Sequence, residues 1–235
     1  MAAAETNAAL PVYVQVSERL IRDIAAGRLA DGVRLPPERT LANELDIAVG
    51  TLRKALAVLE SKGLLVRIQG SGNYVRHDPS VSSVYAMFRL ERPDGGGLPR
   101  AELIDVARRQ KAADCPPFGT SPQATRIRRR RYLNDIVVAL EEIWLDGDAG
   151  TPEPGALSES LYETYRKDLG FTIIRAEDRV MVGPVPQWSD GHFCQPPGER
   201  VGLVERLAWS DRPQPVEFSR TWFDSDRAHY VQRLR

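Results

Sequence analysis

The sequence predicts an α+β chain in two parts, on three observations. Residues 12–63 carry apolar positions at helical spacing in three successive runs, and two short β-like runs around a Gly-rich turn follow at once. The stretch His77–Ser83 (HDPSVSS) then breaks every period and is rich in Pro and Ser. From Val84 onward, strand-like runs dominate and helical stretches are few, which predicts an α+β unit around an antiparallel sheet.

In the first part, Val12, Val16, Leu20, Ile21 and Ile24 line one face of a helix that Gly27 can stop. After the loop RLADGVRLPP, Pro37 suits the first turn of a second helix running to about Leu45, because its missing N–H has no partner there in any case. Leu52, Ala55, Leu56 and Leu59 repeat at i, i+3, i+4 and i+7 in a third helix, closed by Gly63 as a left-handed cap. LLVRI and NYVR then flank QGSG, whose glycines permit the positive φ of a tight hairpin.

In the second part, YAMFRL, RIRRRRYL and VVALEEIWL read as strands and AELIDVARRQ as a helix. GALSESLYETYRKDLG reads as a helix from Ser158 or Ser160 to Gly170, and FTIIRAEDRVMV, VGLVERLAWS and PVEFSRTWFD read as further strands. The boundaries expected are 1–78 for the first domain, 79–83 for the linker and 84–235 for the second domain.

Composition narrows the function classes. A chain of 235 residues, 42% hydrophobic and 27% charged, is ample for packed domains. No apolar run reaches eighteen residues and the N-terminus lacks a leader pattern, so a soluble cytoplasmic protein without membrane contact is expected. Cys115 and Cys194 are the only cysteines, with no CxxC or Cys/His cluster, so neither a disulfide framework nor a metal site is expected, and no cofactor. Net charge is zero, so any case for nucleic acid rests on local charge.

That local charge exists. Between Ala48 and Arg76 the basic residues Arg53, Lys54, Lys62, Arg67 and Arg76 face the single acid Glu60. A helix-turn-helix lays its second helix in the major groove, and a following hairpin wing can reach the next groove or the backbone. The face of the third helix opposite its leucines carries Thr51, Arg53, Lys54 and Ala57, so basicity collects where groove docking needs it.

These residues resemble the winged-helix DNA-binding domain of the GntR superfamily of bacterial transcription regulators. The resemblance rests on Tyr13 in the first helix, LPPER (Leu35–Arg39), TLR (Thr51–Arg53) and the QGSG wing (Gln69–Gly72). It implies that Arg39, Thr51 and Arg53 contact double-stranded operator DNA, with Gln69 and Gly70 at the wing tip entering the minor groove; Lys54, on the same face of the third helix, is a further DNA-contact candidate. Many relatives have Ser-Arg where this chain has Ala48-Val49, and that Arg commonly reads a base.

Residues from about Ser83 to Arg235 resemble the UTRA domain, the effector-sensing module of the HutC-like branch, which has a chorismate-lyase-like α+β fold with an antiparallel sheet. The resemblance rests on YAMFRL, RRRYLNDIVVALEEIWL, LSESLYETY, AEDRV and PVEFSRTWF. It matches Arg129, Arg131 and Glu141 to an Arg-x-Arg followed by an acid, Ser158 and Ser160 to a Ser-containing helix start, and Glu217 to a late acid. The physical sense is direct: side chains two apart on a strand share a face, so Arg129 and Arg131 point together while Arg126, Arg128 and Arg130 face away. Two adjacent guanidiniums repel unless an anion joins them, and a phosphate or carboxylate would bind them bidentately. Glu141 and Glu217 would then take hydroxyls or an amine of the ligand. Trp144, Trp188, Trp209 and Trp222 are expected in the core rather than as ligand platforms.

What the two resemblances imply together is a ligand-responsive transcription regulator, most often a repressor, acting as a homodimer on a palindromic operator and retuned by a small anionic or zwitterionic effector. Coupling between the two domains would pass through the linker and the dimer interface. The alternative is a chorismate-lyase-type enzyme carrying a DNA-binding head, which shares the fold and the Arg/Glu set. No activated nucleophile, metal cluster or acid–base pair has a convincing spacing here, which favours the regulator.

Overall fold

The computed structural model describes residues 11–25, 27–76, 87–95, 97, 99–157 and 160–232. The expected linker 79–83 and Ser158 lie outside them. The chain forms two compact units, one built on Ala9–Arg89 and the other on Pro99–Tyr230.

The first unit orders helices α1 (Val12–Ala25), α2 (Glu38–Glu44) and α3 (Val49–Ser61) before strands β1 (Leu65–Ile68) and β2 (Gly72–Val75). Its core is the set of apolar stripes already visible in sequence. Val16, Leu20, Ile21 and Ile24 of α1 close on Leu41 and Ala42 of α2, on Leu52, Ala55, Leu56 and Leu59 of α3, and on Leu65 and Val75 of the hairpin. Gly63, at φ 71°, ends α3: its N–H bonds the Glu60 carbonyl, and the Leu64 N–H reaches back to Leu59. This left-handed stop turns Leu64 into the same core as Leu59. The hairpin pairs Leu65 with Val75 and Ile68 with Gly72. Residues 33–35 add a third short edge, because the Leu35 N–H bonds Asn73 and the Val75 N–H bonds Val33.

The second unit is a six-stranded, wholly antiparallel sheet in the order β4 (Pro99–Gln110), β5 (Gln123–Leu133), β6 (Ile136–Asp146), β9 (Glu217–Phe223), β8 (Arg200–Trp209), β7 (Arg175–Pro184). A small separate ladder joins β3 (Leu90–Glu91) to β10 (His229–Tyr230). One face packs Ile127, Ile143, Leu145 and Ala208 against Leu157, Leu161 and Tyr165. The other carries Leu140, Leu203 and Trp222 under Val185 and Phe193. Trp144 and Trp222 are buried, as expected, whereas Trp188 and Trp209 are half-buried with the guanidiniums of Arg128 and Arg175 over their rings.

Three elements differ from the sequence reading. Of YAMFRL, Met87–Arg89 lie outside any strand and Leu90 opens the two-residue β3. AELIDVARRQ is not a helix but most of strand β4. A register irregularity between Leu103 and Asp105 resets the alternation, so Leu103 and Val106 join one core and Ile104 the other. One irregularity in a strand thus mimics the i, i+1, i+3 spacing of a helix, and pairing along β5 overrides local helix propensity. The segment 155–170 is a helix only in part. It holds a 3₁₀ turn at Pro154–Ala156, the short α4 (Leu161–Thr164) with Ser160 at its N-terminus, and a π turn over Tyr165–Leu169 that ends at Gly170 with φ 73°.

Candidate functional site

The exposed face of α3 presents Arg53 and Lys54, with Thr51 half-buried beside them. Arg39 of α2 and Gln69 and Gly70 at the hairpin tip are exposed as well. Gly70 takes the third position of the turn closed by the Ser71 N–H on the Ile68 carbonyl, where its φ of 75° suits glycine. A Cβ on Gly72 would come within 3.0 Å of Arg34 Nε, so the missing side chain lets Arg34 lie across the wing. A cleft of about 610 Å³ runs between this hairpin and residues 34–38, lined by Arg34, Pro37, Glu38, Arg67, Gln69 and Asn73 among others.

Two carboxylates temper the basic face. Arg53 Nε donates to Glu38 Oε2 at 2.7 Å, and Arg67 pairs with Glu60 at 3.1 Å. Neither exposed pair adds much stability, but the first fixes the direction of a side chain expected to read bases. Glu38 was not among the sequence candidates; its signal was its place in LPPER, fifteen residues before Arg53. Val49 opens α3 after Ala48 at its N-cap, and Val49 packs partly into the core.

In the second unit, Arg129 and Arg131 do point to one face, as the strand period predicts, and both are buried. Glu141 pairs directly with Arg129 across β5–β6. Arg129 donates through Nε at 3.2 Å and a terminal nitrogen at 2.8 Å to Glu141 Oε2, while Arg131 Nε stands 3.7 Å from Oε1. The sequence argument that the two guanidiniums need an external anion is therefore corrected: Glu141 already supplies a counter-charge between them. Burial alone would raise the Glu141 carboxyl, but the charges of Arg131 and Arg129 outweigh it and hold it below the usual carboxylate range.

Glu217 sits apart from that pairing. Its two oxygens accept from Tyr162 at 3.1 Å and Tyr165 at 2.6 Å. Beside it in the adjacent strand, Arg206 makes a two-pronged pair with Asp178 at 2.5 and 2.6 Å, and Tyr230 donates to the same Asp178 at 2.5 Å. Burial pushes the Glu217 carboxyl up, against the tyrosine hydroxyls and the guanidiniums of Arg206 and Arg129. Burial, then the Glu217 charge, likewise push both tyrosine hydroxyls up. Ser160 is buried at the start of α4. Sequence reasoning missed Tyr162, Tyr165 and Arg206; the three-residue spacing of the tyrosines within LSESLYETY was the one available hint.

A carboxyl raised in the folded state binds its proton more tightly there than in the unfolded chain. Its contribution to stability is full below the ordinary value of 4.5 and is lost as pH rises through the folded value. Glu217→Gln keeps the neutral shape without the ionisation, so the thermal midpoint of the variant minus that of wild type should grow from pH 4.5 upward. A pH-independent difference in thermal denaturation would contradict the raised carboxyl.

Among the described residues no group of three or more His, Cys, Asp or Glu side chains is arranged to hold a metal, and no helix is long and apolar enough to cross a membrane. The profile described as bacterial regulatory proteins, gntR family, matches residues 12–75, and that of the UTRA domain matches residues 95–229. The chain is 52% identical over 231 residues to the HTH-type transcriptional regulator SmoD of Agrobacterium fabrum, covering 98% of this chain and 99% of that protein. It is 26% identical to the HTH-type transcriptional repressor NagR of Bacillus subtilis, covering 96% of each. Among solved structures, the regulator YydK of Bacillus subtilis has the same fold at a TM-score of 0.52 and 18% identity, over 96% of this chain and 100% of that one. The ligand-binding domain of a GntR-family regulator from Bordetella bronchiseptica matches at 0.53 and 20% identity, over 63% of this chain and 96% of that one. With a gntR-type helix-turn-helix head followed by a UTRA domain, the chain belongs to the UTRA-bearing branch of the GntR family of bacterial transcription regulators.

Proposed function

We propose that this protein is a cytoplasmic repressor that binds a palindromic operator as a homodimer and is released by a small anionic or zwitterionic metabolite. Arg39, Thr51, Arg53, Lys54, Gln69 and Gly70 contact the DNA. Arg129 and Arg131 take the negative group of the effector, with Ser160 beside it and Glu217 toward its polar end, while Glu141 holds the two arginines in place. That NagR is a transcriptional repressor favours repression, and the regulatory roles named for the relatives favour regulation over catalysis.

The observation that carries the ligand class is the pair of guanidiniums on one sheet face. Arg129 and Arg131 are buried two residues apart on β5, beside Glu141. Planar, multi-donor and always charged, two such groups side by side suit bidentate contact with a carboxylate or phosphate. Thermal-shift screening of the full chain against sugar phosphates, sulfonates, amino acids and small carboxylates tests this directly. Stabilisation by anionic members is expected, together with a loss of operator affinity of roughly 5- to 150-fold, the usual range for coupled sites. Stabilisation confined to neutral or cationic compounds would overturn the ligand class.

A further inference from the structure

Arg34 immediately precedes the LPPER stretch and is exposed. Its backbone belongs to the short edge beside β2: the Leu35 N–H bonds the Asn73 carbonyl, the Val75 N–H bonds the Val33 carbonyl, and Arg34 stands opposite Tyr74. Those flanking bonds make Arg34 and Tyr74 a non-hydrogen-bonded pair, the kind in which side chains lie closest. Leu35 and Val75 turn into the core, so by alternation Arg34 turns to the outer face of the wing, as do Tyr74 and Gly72. Gly72 is two residues nearer the tip and has no side chain to lift the guanidinium away. A Cβ there would come within 3.0 Å of Arg34 Nε and 3.5 Å of a terminal nitrogen. The guanidinium thus lies over Gly72, on the tip side of its own backbone pair.

There it borders the cleft of about 610 Å³ between the hairpin and residues 34–38. The lining includes Glu38, which holds Arg53 of α3, and Gln69 and Gly70 of the hairpin tip. The cleft therefore reaches from the helix proposed to enter the major groove to the tip proposed to enter the minor groove. Adjacent grooves of a duplex are divided by a sugar–phosphate strand, so a protein that enters both must straddle that strand. The two acids nearby are already engaged, Glu38 by Arg53 at 2.7 Å and Glu60 by Arg67 at 3.1 Å. Among the described residues Arg34 has no ion pair. Ile68, opposite Gly72 on the same face, lines the same cleft and is 49% exposed. A guanidinium without a carboxylate, next to an exposed apolar side chain, matches a phosphate joined to its deoxyribose.

We propose that this cleft seats the sugar–phosphate strand between the two grooves, with Arg34 paired to a phosphate and Ile68 against the sugar. The proposal rests on the DNA-binding reading above and adds a contact outside the residues assigned there. A planar guanidinium gives two parallel N–H bonds to one phosphate. Such a contact fixes register and adds affinity but reads no sequence. Its role therefore differs from that of Arg53, whose loss is expected to alter specificity.

Salt dependence tests it. Full-length wild type, Arg34→Ala and Arg34→Lys are titrated, over a series of salt concentrations, against a random-sequence duplex and a duplex enriched from a randomised pool by the wild type. Loss of one phosphate pair removes one released counterion, so Arg34→Ala should reduce the log–log salt slope by about 0.9. Affinity for both duplexes should fall several-fold together, with their ratio unchanged. Arg34→Lys keeps the charge without the fork, so the slope should return while affinity stays between the other two. Ile68→Ser removes no charge and should weaken both duplexes at the wild-type slope; unchanged binding would remove the sugar contact. Both side chains are exposed, so thermal midpoints close to wild type are expected in all variants. If the wild type binds DNA and Arg34→Ala matches it in affinity and slope, the cleft assignment is wrong and the DNA-binding reading stands. A changed ratio between the two duplexes would make Arg34 a reader of sequence and overturn the phosphate contact. A wild type that enriches no duplex and binds none overturns both readings.

Discussion

Replacing Arg53 with alanine is expected to flatten the preference for operator over random duplex by roughly 5- to 150-fold at fixed salt, the range set by about 1 to 3 kcal/mol for one bidentate base contact. Arg53 is 64% exposed at its side chain and held by Glu38 alongside α3, so its loss leaves the core of Leu52, Ala55, Leu56 and Leu59 untouched. Any change is therefore a change in recognition. Glu38→Ala separates base reading from simple charge. Removing a carboxylate from a phosphate-facing surface strengthens binding to random duplex, while Arg53, no longer steered, discriminates less well. Non-specific affinity should rise and the specificity ratio fall in the same variant. Competition titrations of operator and random duplex at matched ionic strength read both quantities. An Arg53→Ala protein with the wild-type ratio would make this arginine a solvated surface charge.

The helix-turn-helix unit was legible because its determinants are short-range. Its helices announce themselves by apolar spacing, Gly63 stops α3 in the left-handed region, and the glycines of QGSG close the hairpin. The sheet unit was legible where alternation is regular, as in β5, where Arg129 and Arg131 fell on one face and Arg128 and Arg130 on the other. It was not legible where alternation breaks. The irregularity in β4 disguised a strand as a helix, and the 3₁₀ and π turns around α4 divided what periodicity joined. The pairing of Arg129 with Glu141 depends on the left-handed Asn134 in the β5–β6 turn and on a register shift between Arg131 and Tyr132, neither of which the residue pattern announces. The tyrosine clasp on Glu217 joins residues 55 and 52 positions apart, so only the fold brings it together. Buried Arg–Glu pairing also explains why the counter-charge was sought in a ligand: sequence displays the two arginines side by side and leaves their partner on the next strand.

Arg131→Ala is expected to abolish effector-driven release from the operator while leaving effector-free DNA binding within a few-fold of wild type. Arg131 is 3% exposed and approaches Glu141 at 3.7 Å, whereas Arg129 makes the shorter, two-donor contact to that carboxylate. Glu141 therefore keeps a bonded partner in the variant. One of the two guanidiniums proposed to hold the effector's negative group disappears, and with it the bidentate contact that an anion would make there. Arg131→Lys distinguishes charge from geometry. An ammonium restores the charge without the planar fork, so response should return at higher effector concentrations if bidentate contact matters. The measurement is an operator titration with and without an anion identified by thermal shift, on wild type and both variants, each checked for native circular dichroism. An unchanged response in Arg131→Ala puts the ligand elsewhere on the domain. Loss of effector-free operator binding in a folded Arg131→Ala protein would make the arginine a structural support, its buried charge serving the sheet and not the signal.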